Sequence, residues 1–273
     1  MRARLALLLF SFIGFSGAVA SASPSESKVS AIRTLVARTS ARPEIGSQRD
    51  ADLAFVRSGE GFKDSAGGEW LGKSGKGDAQ ELDRLGNEHA TAAIYRIAEG
   101  AFGTMTPEVR SLRIEGKPYL LARKIPLDDA RTFSDDQLQQ FGRGFVIDAW
   151  LANWDVGGAW QLTADASGRP VRIVASGGGL FRPSGEPKGA AFTDRVSELG
   201  SMRDPLKPTS FGFRKLTGKD VKDQLQKFAA WYPMHHAEID AAIDGTSLGS
   251  AAALTLKTKL AARAAWLIKQ ARK

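Results

Sequence analysis

The chain has 273 residues and no cysteine, which excludes disulfide bonds, redox chemistry at cysteine and cysteine-ligated metal sites. Its formal net charge is +8, but the basic excess is concentrated after Asp244, in six residues: Lys257, Lys259, Arg263, Lys269, Arg272 and Lys273. The rest of the chain is close to neutral, so we expect no nucleic-acid-binding face and no nucleic-acid partner.

The first 22 residues have the pattern of a secretory signal peptide. Arg2 and Arg4 form a positive start, Leu5–Ala20 is an apolar stretch, and small-residue cleavage patterns end at Ala20 and Ala22. An uncleaved membrane anchor is the alternative, but the apolar stretch is shorter than the roughly 20 residues of a membrane span. We therefore expect an exported protein, located in the periplasm or the medium.

Three elements are predicted in the next part of the chain. Residues 23–50 are rich in Ser, Ala and Arg with little apolar periodicity, which indicates a flexible leader. Glycines are dense at 59–77 and favour tight turns between short strands. Apolar residues at intervals of three and four from Asp78 to Glu99, followed by Gly100, predict an amphipathic helix with a glycine stop.

A hairpin and a long helix follow. Residues 109–114 and 119–122 are strand-like and flank a turn, so they predict an antiparallel hairpin. Ser134, with Gln137 three residues later, resembles a capping box. The apolar stripe that comes next predicts one helix that runs to Ala152.

The second half of the chain is predicted to be mainly helical. A second hairpin is expected at 161–164 and 171–174, followed by an irregular stretch and then by helices at about 219–231, 234–243 and 250–271. Strands therefore dominate early and helices late. This order predicts the α+β class.

Four motifs occur in the order typical of one family: Trp70-Leu71-Gly72-Lys73, Asn87 to Arg96, Asp148 to Gly157, and Arg172 to Arg182. Over roughly residues 55–215 the chain resembles bacterial HipA-like and phosphatidylinositol-kinase-like atypical kinases. The similar subgroup has an Asn-Trp-Asp motif, then Asn, then Asp-Asn-Gly-Gly-Ala-Leu. The resemblance implies a two-lobed protein-kinase-like fold, with a sheet-rich N-lobe at 51–125 and a helical C-lobe at 126–273 that ends in a basic amphipathic helix.

The resemblance also implies functional roles. Lys73 is the expected phosphate-binding lysine of a nucleotide site, Glu88 is its partner, and Asp155 is the catalytic-loop aspartate. Two metal-binding positions differ from the family pattern, because the asparagine is missing from a shortened loop around Gln161 and Ala175 replaces the aspartate. A methyl group cannot coordinate Mg²⁺, so we expect no metal site and no ordinary phosphotransfer, with residual nucleotide binding as the remaining cofactor hypothesis.

These residues also have structural interpretations. The backbone at Gly177 and Gly178 is either an anion-binding nest or a hinge. Lys73 and Glu88 are either a ligand site or a structural ion pair. Asp155 is either catalytic or a cap for its own turn.

The histidines and the last helix are less informative. His89, His235 and His236 lack the spacing of metal ligands, so we expect them at the surface or at helix caps. The apolar stripe of the last helix either packs on the core or makes a weak membrane-surface contact, with an acidic partner as a further alternative.

Three functions are compatible with these patterns. The preferred one is an exported pseudokinase-like domain that binds a protein partner or an anionic ligand, because Ala175 occupies a required metal position. The second is a divergent phospho- or nucleotidyl-transferase that uses Lys73, Glu88 and Asp155. The third is a secreted effector or a structural interaction protein.

The signal-peptide prediction is tested by expressing the full chain and recovering the exported protein. We expect residues 1 to about 22 to be absent, because the n-region, apolar stretch and small-residue site together direct cleavage. Intact-mass measurement of protein from the periplasm or medium checks this. A full-length mass would contradict it.

Overall fold

A computed structural model describes residues 56–58, 61–75, 77–125, 127–128, 133–158, 162–172 and 192–273. The predicted signal peptide and leader lie outside these residues. These described residues belong to one compact unit.

The first sheet has five antiparallel strands in the order β1-β2-β3-β5-β4. The strands are β1 (Val56–Ser58), β2 (Gly61–Lys63), β3 (Glu69–Ser74), β4 (Val109–Ile114) and β5 (Lys117–Arg123). Helix α1 (Ala79–Phe102) connects β3 to β4. The predicted short strands and the first hairpin are therefore confirmed.

One face of this sheet carries a small aromatic cluster. Phe62, Trp70, Tyr119 and Leu121 are buried together, and the rings of Phe62 and Tyr119 meet edge to face with centroids 5.2 Å apart. A Cβ at Gly72 would collide with the Phe62 ring. The glycine therefore lets the ring lie directly on β3.

Helix α1 has the predicted start but a later end. The Asp78 side chain accepts a 2.8 Å hydrogen bond from the backbone N–H of Glu81, which caps the first turn. The helix ends at Gly103, whose φ of 63° is the left-handed conformation that glycine adopts without strain. The predicted stop at Gly100 is wrong, because that residue stays in the helical conformation.

The helix predicted from Ser134 to Ala152 is two helices, α2 (Asp135–Gly142) and α3 (Phe145–Leu151). The predicted capping box of Ser134 and Gln137 is present. The helix is interrupted at Gly144, where a Cβ would collide with the Arg172 guanidinium and the Thr104 methyl group. A tertiary contact therefore requires glycine at the break, and the apolar stripe does not reveal this contact.

The second sheet contains the predicted second hairpin. Its strands β6 (Leu127–Asp128), β7 (Leu162–Asp165) and β8 (Pro170–Arg172) are antiparallel and lie in chain order. The turn between β7 and β8 is closed by Asp165, whose Oδ1 accepts hydrogen bonds from the backbone of Ser167 and Arg169. A hydrogen bond from the Ser167 hydroxyl, together with these backbone bonds, holds the pKa of Asp165 well below its usual range.

The elements that follow β8 are α4 (Glu198–Ser201), a 3-10 helix (Pro208–Phe213), α5 (Gly218–Asp244) and α6 (Ser250–Ala271). The predicted break between two helices near residue 233 is wrong, because α5 continues through Pro233. An internal proline costs about 3 kcal/mol. Packing on both sides offsets this cost, since Phe228 and Trp231 before it and Ile239 after it are buried in the core.

Helix α1 contributes to two clusters. Leu85 and Ala92 pack with Val109 and Leu120 of the first sheet. Ile94, Tyr95, Ala98 and Phe102, further along the helix, belong to the main core with α3, α5 and α6. The α+β class is confirmed, and the two-lobed kinase-like arrangement stays a prediction. None of the described helices has the length and apolarity needed to cross a membrane.

His89 is half-buried, and it bridges α1 and the sheet where the sequence predicted a surface or capping role. Its Nδ1 is 2.9 Å from the Ser111 hydroxyl on β4. Burial lowers the pKa of His89 from 6.5 to about 4. The folded protein therefore keeps this imidazole neutral at physiological pH.

This pKa predicts a pH-dependent stability. The unfolded chain takes up a proton at His89 near pH 6.5 and the folded chain near pH 4, so acidification across this window favours unfolding. The part of the loss that His89 causes, which is the difference between wild type and a variant without the imidazole, should be about 2.5 kcal/mol. Urea denaturation at pH 7.5 and pH 4.5 measures it, with His89→Asn as the control that retains a polar group toward Ser111. An equal loss in wild type and variant would contradict the assignment.

Candidate functional site

The register of the first sheet aligns three side chains in one row. Lys73 on β3 pairs with Leu120 on β5, and Leu120 pairs with Ser111 on β4. Directly paired residues point to the same face of an antiparallel sheet. Leu120 packs against Leu85 of α1, so the whole row lies on the face that α1 covers.

Lys73 and Glu88 form an ion pair across this face. Lys73 Nζ lies 2.9 Å from Glu88 Oε2, so strand β3 and helix α1 bring together the two residues predicted to form a nucleotide site. Their exposures differ, because the Glu88 side chain is 1% exposed and that of Lys73 is 46% exposed. The carboxylate is therefore fixed in the protein, and the ammonium group remains open to solvent.

Glu88 has a second cationic partner. Arg84 Nη1 donates to Glu88 Oε1 at 2.6 Å, and the same guanidinium contacts Glu81 at 2.9 Å. Burial on its own would lower the pKa of Arg84, but the hydrogen bonds and charges of these two glutamates outweigh it and raise the pKa. The buried carboxylate therefore stays compensated when Lys73 turns toward another anion.

The side chains of the other predicted site residues lie outside the described part of the chain. The backbone of Asp155 lies in the 3-10 helix Trp154–Gly157, and its side chain lies outside the described part of the chain. Gly177 and Gly178 also lie outside it, as do Gln161 and Ala175. Their predicted roles stay predictions.

A buried polar network around Asp148 was not predicted. Arg172 Nη1 donates to Asp148 Oδ1 and Oδ2 at 2.5 and 2.6 Å, and Tyr95 Oη donates to Oδ1 at 2.7 Å. Asn153 Nδ2 donates to Tyr95 Oη at 3.1 Å. A signal was available in the sequence, because Asp148 lies within the apolar segment Phe145–Leu151 and a buried charge needs a partner.

Electrostatics hold this network in one arrangement at neutral pH. Burial raises the pKa of Asp148 to about 6, against the opposing effect of Arg172. Asp148 is therefore largely ionised at pH 7 and bound to the guanidinium. Burial and the Asp148 charge also raise the pKa of Tyr95 well above its ordinary value, so its hydroxyl stays protonated and acts as a donor.

The basic C-terminal helix α6 is packed on the core. Its apolar stripe is buried: Leu256, Leu260, Ala264 and Leu267. Arg263 is also fully buried, while Lys257 pairs with Asp244 and Lys259 with Asp194. The apolar face is thus unavailable to a membrane, and a weak membrane-surface contact through the polar face stays a prediction.

Comparisons with known proteins assign no family. No protein-family model matches the chain, and no curated protein matches it. Among solved structures, it is similar to the N-terminal 618-residue fragment of LepB from Legionella pneumophila, with 11% sequence identity and a TM-score of 0.49. The match covers 78% of this chain and 47% of that fragment, so this chain spans about half of the fragment's length. A likeness at this level identifies neither a family nor an activity.

The different exposures of Lys73 and Arg84 predict different effects on stability. Lys73→Gln should lower the free energy of unfolding by less than about 1 kcal/mol, because the ammonium is half exposed and Arg84 still compensates Glu88. Arg84→Gln should cost about 2 kcal/mol, because it removes charged hydrogen bonds to two carboxylates. Urea denaturation of both variants measures the difference. A larger loss for Lys73→Gln would indicate that Lys73 is mainly structural.

Proposed function

We propose that this chain is an exported kinase-like domain that binds an anionic ligand or partner at Lys73 and does not carry out ordinary phosphotransfer. The observation that carries the proposal is the 2.9 Å contact between Lys73 on β3 and Glu88 on the following helix. Protein kinases hold nucleotide phosphates with a strand lysine that a helix glutamate positions. The contact supports the same use of Lys73 here.

The surroundings of Lys73 favour a ligand over a purely structural role. Glu88 is buried and doubly compensated, so it orients the ammonium without depending on it. Leu71 lies two residues earlier on the same face of β3 and is 56% exposed. An exposed apolar side chain beside a half-exposed cation suits a ligand with both an apolar part and an anionic group, such as a nucleotide.

The proposal of binding without ordinary catalysis depends on the altered metal positions. In the resemblance, Ala175 replaces a metal-binding aspartate and Gln161 lies in the loop that lacks the asparagine. Metal stabilisation of a phosphoryl transition state contributes several kcal/mol. Each 1.4 kcal/mol corresponds to about a tenfold change in rate, so its loss slows transfer by several orders of magnitude.

Nucleotide titration of the mature protein tests the binding. We expect weak binding of ATP and ADP that Mg²⁺ does not strengthen, and a loss of about tenfold or more in affinity in Lys73→Gln, since a hydrogen bond to a charged group is removed. Lys124→Gln is the matched control, because Lys124 directly follows β5, is also exposed and forms an ion pair with Glu69 of β3. Isothermal titration calorimetry measures all three proteins. Equal affinities for the three would refute a ligand site at Lys73.

Phosphotransfer assays separate this proposal from the transferase alternative. We expect no appreciable Mg²⁺-dependent autophosphorylation by the wild-type protein. The double substitution Ala175→Asp with Gln161→Asn should create metal-dependent nucleotide binding, because it restores two hard oxygen ligands. Strong wild-type autophosphorylation that Asp155→Ala abolishes would favour an active transferase. Absence of both binding and transfer would favour a secreted effector or structural protein.

A further inference from the structure

We propose that a second ligand site, independent of Lys73, binds a small carboxylate or phosphate compound in a cavity lined by Arg143, Arg169 and Arg172. The cavity has a volume of about 230 Å³. It lies between the C-terminal ends of α1 and α2 and strand β8. Glu99, which also lines it, is roughly 16 Å along α1 from Glu88. The cavity is therefore separate from the Lys73 site.

Arg172 forms a rigid wall of this cavity. Its Nη1 is bound to Asp148 and its Nη2 donates to the carbonyl of Phe141 at 3.0 Å. The guanidinium also stacks over the Phe141 ring, with Cζ 4.6 Å from the ring centroid. The guanidinium is therefore held in one orientation, and because only 3% of the side chain is exposed it forms a fixed part of the cavity wall and leaves ligand binding to the other arginines.

Arg169 and Arg143 supply the other cationic groups. Arg169 is bound to Asp165, which does not line the cavity. Arg143 is exposed and lines the same cavity. Two accessible guanidinium groups, those of Arg143 and Arg169, therefore line the cavity with one carboxylate, that of Glu99, and the counterion of Arg169 is not part of the lining. Guanidinium groups bind planar carboxylates and phosphates through paired hydrogen bonds.

The size of the cavity limits the ligand. Pockets for drug-sized molecules measure about 300–1,000 Å³, and this cavity is smaller. Met105 and Pro170 add apolar wall beside the arginines, which leaves space for a short organic part. Glu99 disfavours a second anionic group on its side and can accept a hydrogen bond from a ligand hydroxyl. These features favour a small oxyanion with a single strongly bound acidic group.

Calorimetric titration of the mature protein tests this site, with inorganic phosphate and malonate as separate probes and chloride as the ionic-strength control. We expect at least one probe to bind, and the one that binds more tightly identifies the ligand class. Arg143→Gln should weaken binding by about tenfold to a hundredfold, because a charged hydrogen bond is lost. Glu99→Gln should strengthen it by roughly two- to fivefold, because it removes a like charge.

Two control variants test whether the probes bind in this cavity. Arg96 is an exposed arginine on α1 that does not line the cavity, so Arg96→Gln should leave binding unchanged. Lys73→Gln should also leave it unchanged, so a failure here and a failure of the nucleotide site are distinguishable. Binding of neither probe would overturn the proposal. So would binding that Arg143→Gln leaves intact or that Lys73→Gln abolishes.

Discussion

The fold depends on satisfying the polar groups of one fully buried helix. All seven residues of α3 are buried, including Asp148. A buried carboxylate or carbonyl without a partner costs several kcal/mol, so other elements must supply donors. Arg172 from β8 binds Asp148, and Arg263 from α6 donates to the carbonyls of Ala149 and Trp150 at 2.7 Å each. The hydrogen bonds that satisfy α3 therefore also fix where β8 and α6 pack.

This constraint explains features that otherwise have no connection. Residue 144 is glycine because the Arg172 guanidinium that binds Asp148 occupies the space that a side chain would need. Arg263 belongs to the basic C-terminal segment by sequence, but its guanidinium is an internal cap for α3 and stacks over the Phe192 ring. Net charge thus says little about the function of α6. The same Arg172 that neutralises Asp148 also forms a wall of the cavity, so the core and the proposed oxyanion site share one rigid side chain.

The elements that the sequence predicted have local signals. Asp78 caps α1 and Ser134 begins α2, and both act through hydrogen bonds within three residues of themselves. The errors occur where distant contacts decide the conformation. The glycine at the break accommodates a guanidinium 28 positions later in the chain, and α5 continues through Pro233 because buried aromatic residues support it. Periodicity and propensity contain no information about either contact.

The same distinction separates the two ion pairs. The Lys73–Glu88 contact was predicted because the order of motifs indicated which residues pair. The Asp148–Arg172 pair joins residues 24 positions apart, and no motif indicated it.

The two ion pairs also differ in exposure and in how much the buried carboxylate depends on its cation. Arg172 is nearly inaccessible and its counterion needs it, so a ligand that drew it away from Asp148 would leave a buried charge unpaired. Lys73 is half exposed and Arg84 already compensates its partner, so its ammonium can bind an anion at little cost to the fold. A ligand therefore binds most readily to a cationic side chain that no buried acidic group depends on. Lys73 and the exposed Arg143 are side chains of this kind.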